Sequence, residues 1–167
     1  MLVDFRAVDW LEFFKGYGLV PRAKRQKRNK GAEIVNVFAA FDIETSTVWL
    51  SDEHTDAHSF MYIWQFQIED YTIIGREWSE WLIFCERATK QLKQDEYIMI
   101  YVHNLSYEFS FLKGIYSFDQ EEVFAIEPRK VLKCEMFNCM ELRCSYLPRY
   151  YLRHCASEIW QRRFRSI

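Results

Sequence analysis

What the chain lacks narrows its class first. No apolar run approaches the ~20 residues that a helix needs to span a bilayer, so no membrane association is expected. The N-terminus, MLVDFRAVDW, carries acids early and lacks the basic-then-apolar order of a signal peptide. Cysteine is odd in number, five in all, and no C-x-x-C pair occurs. That argues against a disulfide framework and for reduced, mostly buried thiols. Cys134, Cys139 and Cys144 recur every five residues, and with His154 and Cys155 they leave a zinc site open by spacing alone. There is no internal repeat and no low-complexity tract. A soluble, cytoplasmic protein is the expectation. What is present is enough for a core: 167 residues, 50% hydrophobic and 18% aromatic, which excludes a disordered chain.

The net charge of −2 hides an uneven distribution. Residues 1–30 hold eight Lys/Arg against three Asp/Glu, residues 31–147 nine against twenty, and residues 148–167 five against one. An acidic middle is a poor general binder of polyanions. Contact with nucleic acid would have to run through metal ions or the basic ends. One such end is PRAKRQKRNKG, residues 21–31, with six basic residues. It reads as a solvated linker or as a phosphate-contacting arm.

Three segments follow from these shifts: an N-terminal helix and basic linker over 1–31, the main domain over 32–147, and a basic tail over 148–167 whose Arg-rich character sets it apart. In the first segment, Phe5, Val8, Trp10, Leu11 and Phe14 have helical spacing. In the second, the pattern predicts strands over 34–44, 58–68, 72–75, 98–102, 122–126, 130–136 and 141–146. Residues 45–57 read as a polar loop. Helices are expected over 77–93, with Trp78, Trp81, Leu82, Cys85, Ala88 and Leu92 on one face, and over 106–112. The order describes an α/β domain, a sheet with helices against it.

Two stretches ask for a chemical role. In FAAFDIET, residues 38–45, the acids Asp42 and Glu44 interrupt a buried strand at i, i+2. Both side chains then point to one face, with Cα atoms roughly 6.5–7 Å apart. Such a pair is costly without a cation between the carboxylates, and hard oxygen ligands suit Mg²⁺ or Mn²⁺. The other reading is an exposed edge of an amphipathic strand. The second stretch is HNLSYEF, residues 103–109, where the strand over 98–102 feeds a helix, a place where open α/β sheets bind ligands. Asn104 there can cap the helix. Glu108 and Tyr107 need another account.

FDIET followed about sixty residues later by HNLSYEF resembles the first two exonuclease motifs of family B DNA polymerases, in the phage and organellar-plasmid branch that includes protein-primed members. The resemblance covers about residues 35–147. It implies a ribonuclease-H-like mixed sheet flanked by helices, and 3′→5′ exonucleolytic proofreading in DNA replication. It implies that Asp42, Glu44 and Glu108 are catalytic metal ligands for Mg²⁺ or Mn²⁺ of the two-metal type, and that Thr45, His103, Asn104 and Tyr107 hold the 3′ end of single-stranded DNA. The setting it implies is the cytoplasm of a phage-infected or prophage-carrying bacterium.

Two departures stand out. Glu108 occupies a position where most members carry Asp. The third motif, Y-x-x-x-D, does not follow Tyr146, and the polymerase motifs are absent. The expectation is therefore the N-terminal portion of a polymerase without its C-terminal polymerase domain, with impaired nuclease activity and ligands for as few as one metal. The alternative is a non-catalytic ribonuclease-H-like module that binds single-stranded DNA or a partner.

Overall fold

Phe41 and Ile43 alternate with Asp42 and Glu44 along one strand, and this alternation orients the whole sheet. The computed structural model describes residues 1–16, 25–27, 33–35, 37–50, 52, 56–93 and 96–144. Its strands are β1 (Leu2–Asp4), β2 (Arg25–Lys27), β3 (Glu33–Val35), β4 (Ala39–Trp49), β5 (Ala57–Ile68), β6 (Tyr71–Gly75), β7 (Glu96–Val102), β8 (Val123–Glu127), β9 (Lys130–Met136) and β10 (Met140–Cys144). The helices are α1 (Trp10–Gly16), α2 (Trp78–Thr89) and α3 (Leu105–Leu112). The protein is a mixed α/β domain with a mixed sheet and helices packed on it.

Eight strands follow one path, β1-β6-β5-β4-β7-β10-β9-β8, with the β2–β3 pair joined to the first residues of β7. β4, β5 and β6 form an antiparallel meander. β7 lies parallel to β4, and β10 parallel to β7. The connections β6–α2–β7 and β7–α3–β8 join parallel strands and step the same way across the sheet. Right-handed crossing therefore puts α2 and α3 on one face. The apolar members of β4, β5, β7 and β10 point to that face. Trp64, Trp81, Phe66, Phe84, Ile98 and Leu142 are all fully buried. Trp81 of α2 is the centre of this layer, 4.3 Å from the Phe41 ring and 5.5 Å from that of Trp64.

Most elements fall where the residue pattern predicts them, within a few residues at their ends. Two expectations are corrected. The first concerns the N-terminus, where one amphipathic helix was expected across Phe5–Phe14. Leu2–Asp4 instead forms a strand parallel to β6. Asp4 then accepts from Arg6 N at 3.0 Å to start a 3₁₀ turn over Phe5–Ala7, and Asp9 accepts from Glu12 N at 3.1 Å in the first turn of α1. Two short aspartate-anchored turns thus break what looks like one helical period. Phe5, Phe13 and Phe14 join the same core as the rest. Residues 1–16 are thereby part of the sheet domain rather than an appended helix.

The second correction concerns 45–57, read as a loop. β4 continues through Thr45–Trp49, paired with Ala57–Met61 of β5. β-Branched Thr45, Thr47 and Val48 favour extended backbone even where exposed. Thr47 and Ser59 hydroxyls bond across the pair at 3.0 Å. α2 is also shorter than the expected 77–93, ending at Thr89, whose hydroxyl bonds back to Cys85 O at 2.8 Å. The basic arm over 21–31 and the tail over 148–167 lie almost wholly outside the described residues, apart from the backbone of β2. No helix among the described residues is long and apolar enough to cross a membrane.

α2 is anchored by charge as well as by its apolar face. Glu77 and Glu80 form a capping box, and buried Glu80 also takes the Arg76 N–H at 2.8 Å and the Arg6 guanidinium at 2.7 Å. Burial alone raises the Glu80 carboxyl, but these donors outweigh it and leave it below the ordinary value. Gly75 ends β6 against the face of Trp64, and a Cβ there would lie 2.3 Å from the indole carbon Cζ2. The indole cannot retreat without losing its bond from Nε1 to Glu77 O at 2.9 Å. Gly75→Ala is therefore expected to destabilise the domain by about 1–3 kcal/mol, the usual range for overpacking. Urea unfolding measures it, and an unchanged midpoint would show that the Trp64 layer yields more easily than its packing implies.

Candidate functional site

Asp42 is the first residue of β4 past its last pairing with β7, since Phe41 sits opposite Val102 where β7 ends. The lane beside Asp42 is thereby open to the first turn of α3. Glu108 enters it, close enough to Asp42 that each carboxyl shifts the titration of the other. Residues 66 positions apart in the chain thus meet at one strand end. Glu108 is buried, and its Oε2 has no hydrogen-bond partner.

The electrostatics follow from that contact. Burial, and then the charge of Asp42, push the Glu108 carboxyl up to about 8. Asp42 is also raised, chiefly by burial, against the pull of neighbouring Glu108 and of the His103 charge. Two carboxyls this close in a water-poor place repel each other when both are ionised, and they titrate as a pair. Glu44, two residues along on the same strand face, is raised by burial and by the charge of Asp42.

A second contact stitches β4 to α3. The Thr45 hydroxyl hydrogen-bonds the Tyr107 phenol. A bulge in the β4–β5 pairing falls between Glu44 and Thr45, and it re-aims Thr45 relative to the acids. Tyr107 nonetheless keeps 41% of its surface exposed. His103 and Asn104 are exposed at the turn from β7 into α3. Asn104 occupies the N-cap position, and its carbonyl accepts from Tyr107 N at 2.8 Å, yet its side chain makes no capping bond. The capping role expected of the Asn104 side chain is therefore not realised, because the backbone turn there closes without it. The amide is left for another partner.

All seven residues singled out from the sequence lie around the middle of β4, the end of β7 and the start of α3. They do not all converge. Among the described residues, no group of three or more His, Cys, Asp or Glu side chains is spaced to hold a metal ion. Asp42 and Glu108 form a contacting pair with Glu44 as neighbour, in place of the expected three-acid cluster. The pair itself fits a hard divalent cation. Its donors are carboxylate oxygens, one of them is buried without a partner, and a cation would relieve the repulsion between the two groups. Cys85, Cys134 and Cys139 are buried free thiols. The zinc reading of Cys134, Cys139 and Cys144 finds no metal-binding group among the described residues, and its remaining members, His154 and Cys155, lie outside them.

Two residues matter here that the motifs did not mark. The Ser106 hydroxyl accepts from Val131 N at 2.9 Å and donates to Val131 O at 3.4 Å, which pins the start of α3 to β9. Gln65 faces Asp42 from β5. Neither partner is close in sequence, so no local pattern could have found them. Comparisons with protein-family models, with curated proteins and with solved structures find no match.

Two outcomes test the geometry. Ser106→Ala leaves the Val131 N–H without its partner and is expected to cost about 1–3 kcal/mol; chemical unfolding that moved by less than its error would remove Ser106 as the anchor. Glu108 binds its proton more tightly folded than unfolded, where the ordinary value is 4.5. Its contribution to stability is therefore full below about 4.5 and is lost as pH rises toward about 8. Relative to Glu108→Gln, the wild-type chain should lose up to about 1.4 kcal/mol per pH unit over that window. Parallel stability–pH curves for the two proteins would contradict the raised Glu108 carboxyl.

Proposed function

We propose that this chain carries a metal-dependent 3′→5′ exonuclease site acting on the 3′ end of single-stranded DNA. On this reading the domain is ribonuclease-H-like and corresponds to the proofreading portion of a family B DNA-directed DNA polymerase. The observation that carries the reading is the contact between Asp42 of FDIET and Glu108 of HNLSYEF, which the two motifs require and which nothing local in the sequence imposes. The sheet supports it too. A three-stranded antiparallel meander, with two parallel strands added beside its first strand, agrees with a ribonuclease-H-like sheet.

The residues have separable roles. Asp42 and Glu108 would hold Mg²⁺ or Mn²⁺, with Glu44 adding negative charge beside them. The chemistry a bound divalent cation supplies there is activation of the attacking water and charge stabilisation at the leaving 3′-oxygen. Tyr107 offers an exposed ring face on which a terminal base can stack. Asn104 and Thr45 offer polar groups to the sugar and base, and His103 offers an exposed imidazole toward phosphate. The α3 start is held by Ser106, so Tyr107 and Glu108 are presented together.

The test is Mn²⁺-dependent shortening of 3′-labelled single-stranded DNA by the whole chain. Asp42→Ala should slow it at least 100-fold, since the substitution removes half of the cation-holding pair. Shortening that is indifferent to Asp42→Ala would refute the site. Absence of shortening, with salt-sensitive DNA binding that survives the substitution, would instead favour the non-catalytic binding module.

A further inference from the structure

β8 is the last strand on the sheet path, and among the described residues it pairs only with β9. Its outer edge therefore presents backbone N–H and C=O groups along Val123–Glu127. The strand lacks two usual devices of a protected edge. It contains no lysine, and Pro128 lies beyond it in the turn. Instead Phe124 and Ile126 stand 57% and 51% exposed. One exposed apolar side chain is ordinary; two of them on an open strand edge mark a pairing surface. The flanks carry opposite charge. Asp119, Glu121 and Glu122 precede the strand, and Arg129 and Lys130 follow it. Lys130 reaches Glu127 of its own strand at 3.9 Å. Glu121 and Arg129 are exposed, and neither has an ion-pair partner among the described residues.

We propose that two copies of this chain pair through their β8 edges, antiparallel about Ala125, to form one continuous sheet. Charge sets the direction. With Ala125 opposite Ala125 of the second copy, Phe124 meets Ile126 of that copy. The acidic flank at Glu121 then meets the basic turn at Arg129, and each contact occurs twice by the two-fold symmetry. A parallel pairing would set Glu121 against Glu121 and Arg129 against Arg129. The Arg-rich tail over 148–167 would match the acidic flank but meet like charge at the turn, so a second copy fits this edge better. Two register shifts in the β8–β9 pairing, between Phe124 and Ala125 and between Ala125 and Glu127, bend the strand and keep the contact short. A short edge contact falls below the roughly 1,200 Å² of standard interfaces, so the association is weak and reversible. β8 lies four strands from β4 along the sheet, roughly 19 Å. The contact leaves the Asp42 end open and does not depend on the exonuclease reading.

Sedimentation velocity of the whole chain over a concentration series up to about 1 mM tests this. The wild type should pass from monomer to dimer within the series. Ile126→Lys puts a charge on the edge at an exposed position and should weaken dimerisation roughly tenfold or more, with thermal unfolding unchanged. If that variant proves poorly folded, Phe124→Glu, opposite Lys133 in its own chain, carries the same test. Glu121→Arg and Arg129→Glu should each weaken the dimer roughly tenfold, because each reversal acts at both ends of the contact. The double reversal should bring it back to within about threefold of wild type. A wild-type chain that stays monomeric throughout overturns the inference, and so does a dimer indifferent to Ile126→Lys. A dimer that ignores both single reversals, or that the double reversal does not restore, overturns the antiparallel pairing and the proposal with it.

Discussion

Two carboxyl groups brought together beside the end of a buried strand cannot both carry full charge, so the pair must hold a proton or a cation between them. Asp42 and Glu108 impose that choice on this protein, and much of the architecture serves to keep them together. β7 ends opposite Phe41, which opens the lane that Glu108 enters. Ser106 ties the start of α3 to β9, and Thr45 with Tyr107 ties it to β4. Without those restraints the repulsion would be relieved by moving the helix away.

The apolar face makes the strained arrangement affordable. Phe41 and Ile43 alternate with the acids on β4, and Phe41 is locked against Trp81 in a layer that includes Trp64, Phe66 and Phe84. A strand held this firmly on one face cannot rotate to release the side chains on the other. The same logic explains the bulge between Glu44 and Thr45. It changes the direction of Thr45 without moving the acids, because Asp42 and Glu44 lie on the regularly paired side of it.

Much of the fold was legible because it rests on periodicity. β5, β7 and β9 follow from β-branched and aromatic runs, and α2 from its apolar face. The failures have local causes. Thr45–Trp49 looked like a loop because it is polar, and polarity reports exposure rather than backbone conformation. Phe5–Phe14 looked like one helix because residues buried from two separate turns happened to fall at helical spacing. Asn104 looked like a cap because its position is one, but the backbone turn left the side chain unused.

By itself, the sequence marked the candidate residues for chemistry. Two acids at i, i+2 on a strand share a face by the geometry of extended backbone, and a polar cluster following a buried strand marks a ligand-binding end. Those are short-range properties, and the chain writes them locally. Only the tertiary structure decided how the acids are grouped: Asp42 paired with Glu108 and not with Glu44, Gln65 set opposite Asp42, Ser106 anchored to Val131. Each depends on strand register or helix placement between residues 23 to 66 positions apart, and register is settled by the packing of the buried face, where the interacting side chains are not those of the candidate site.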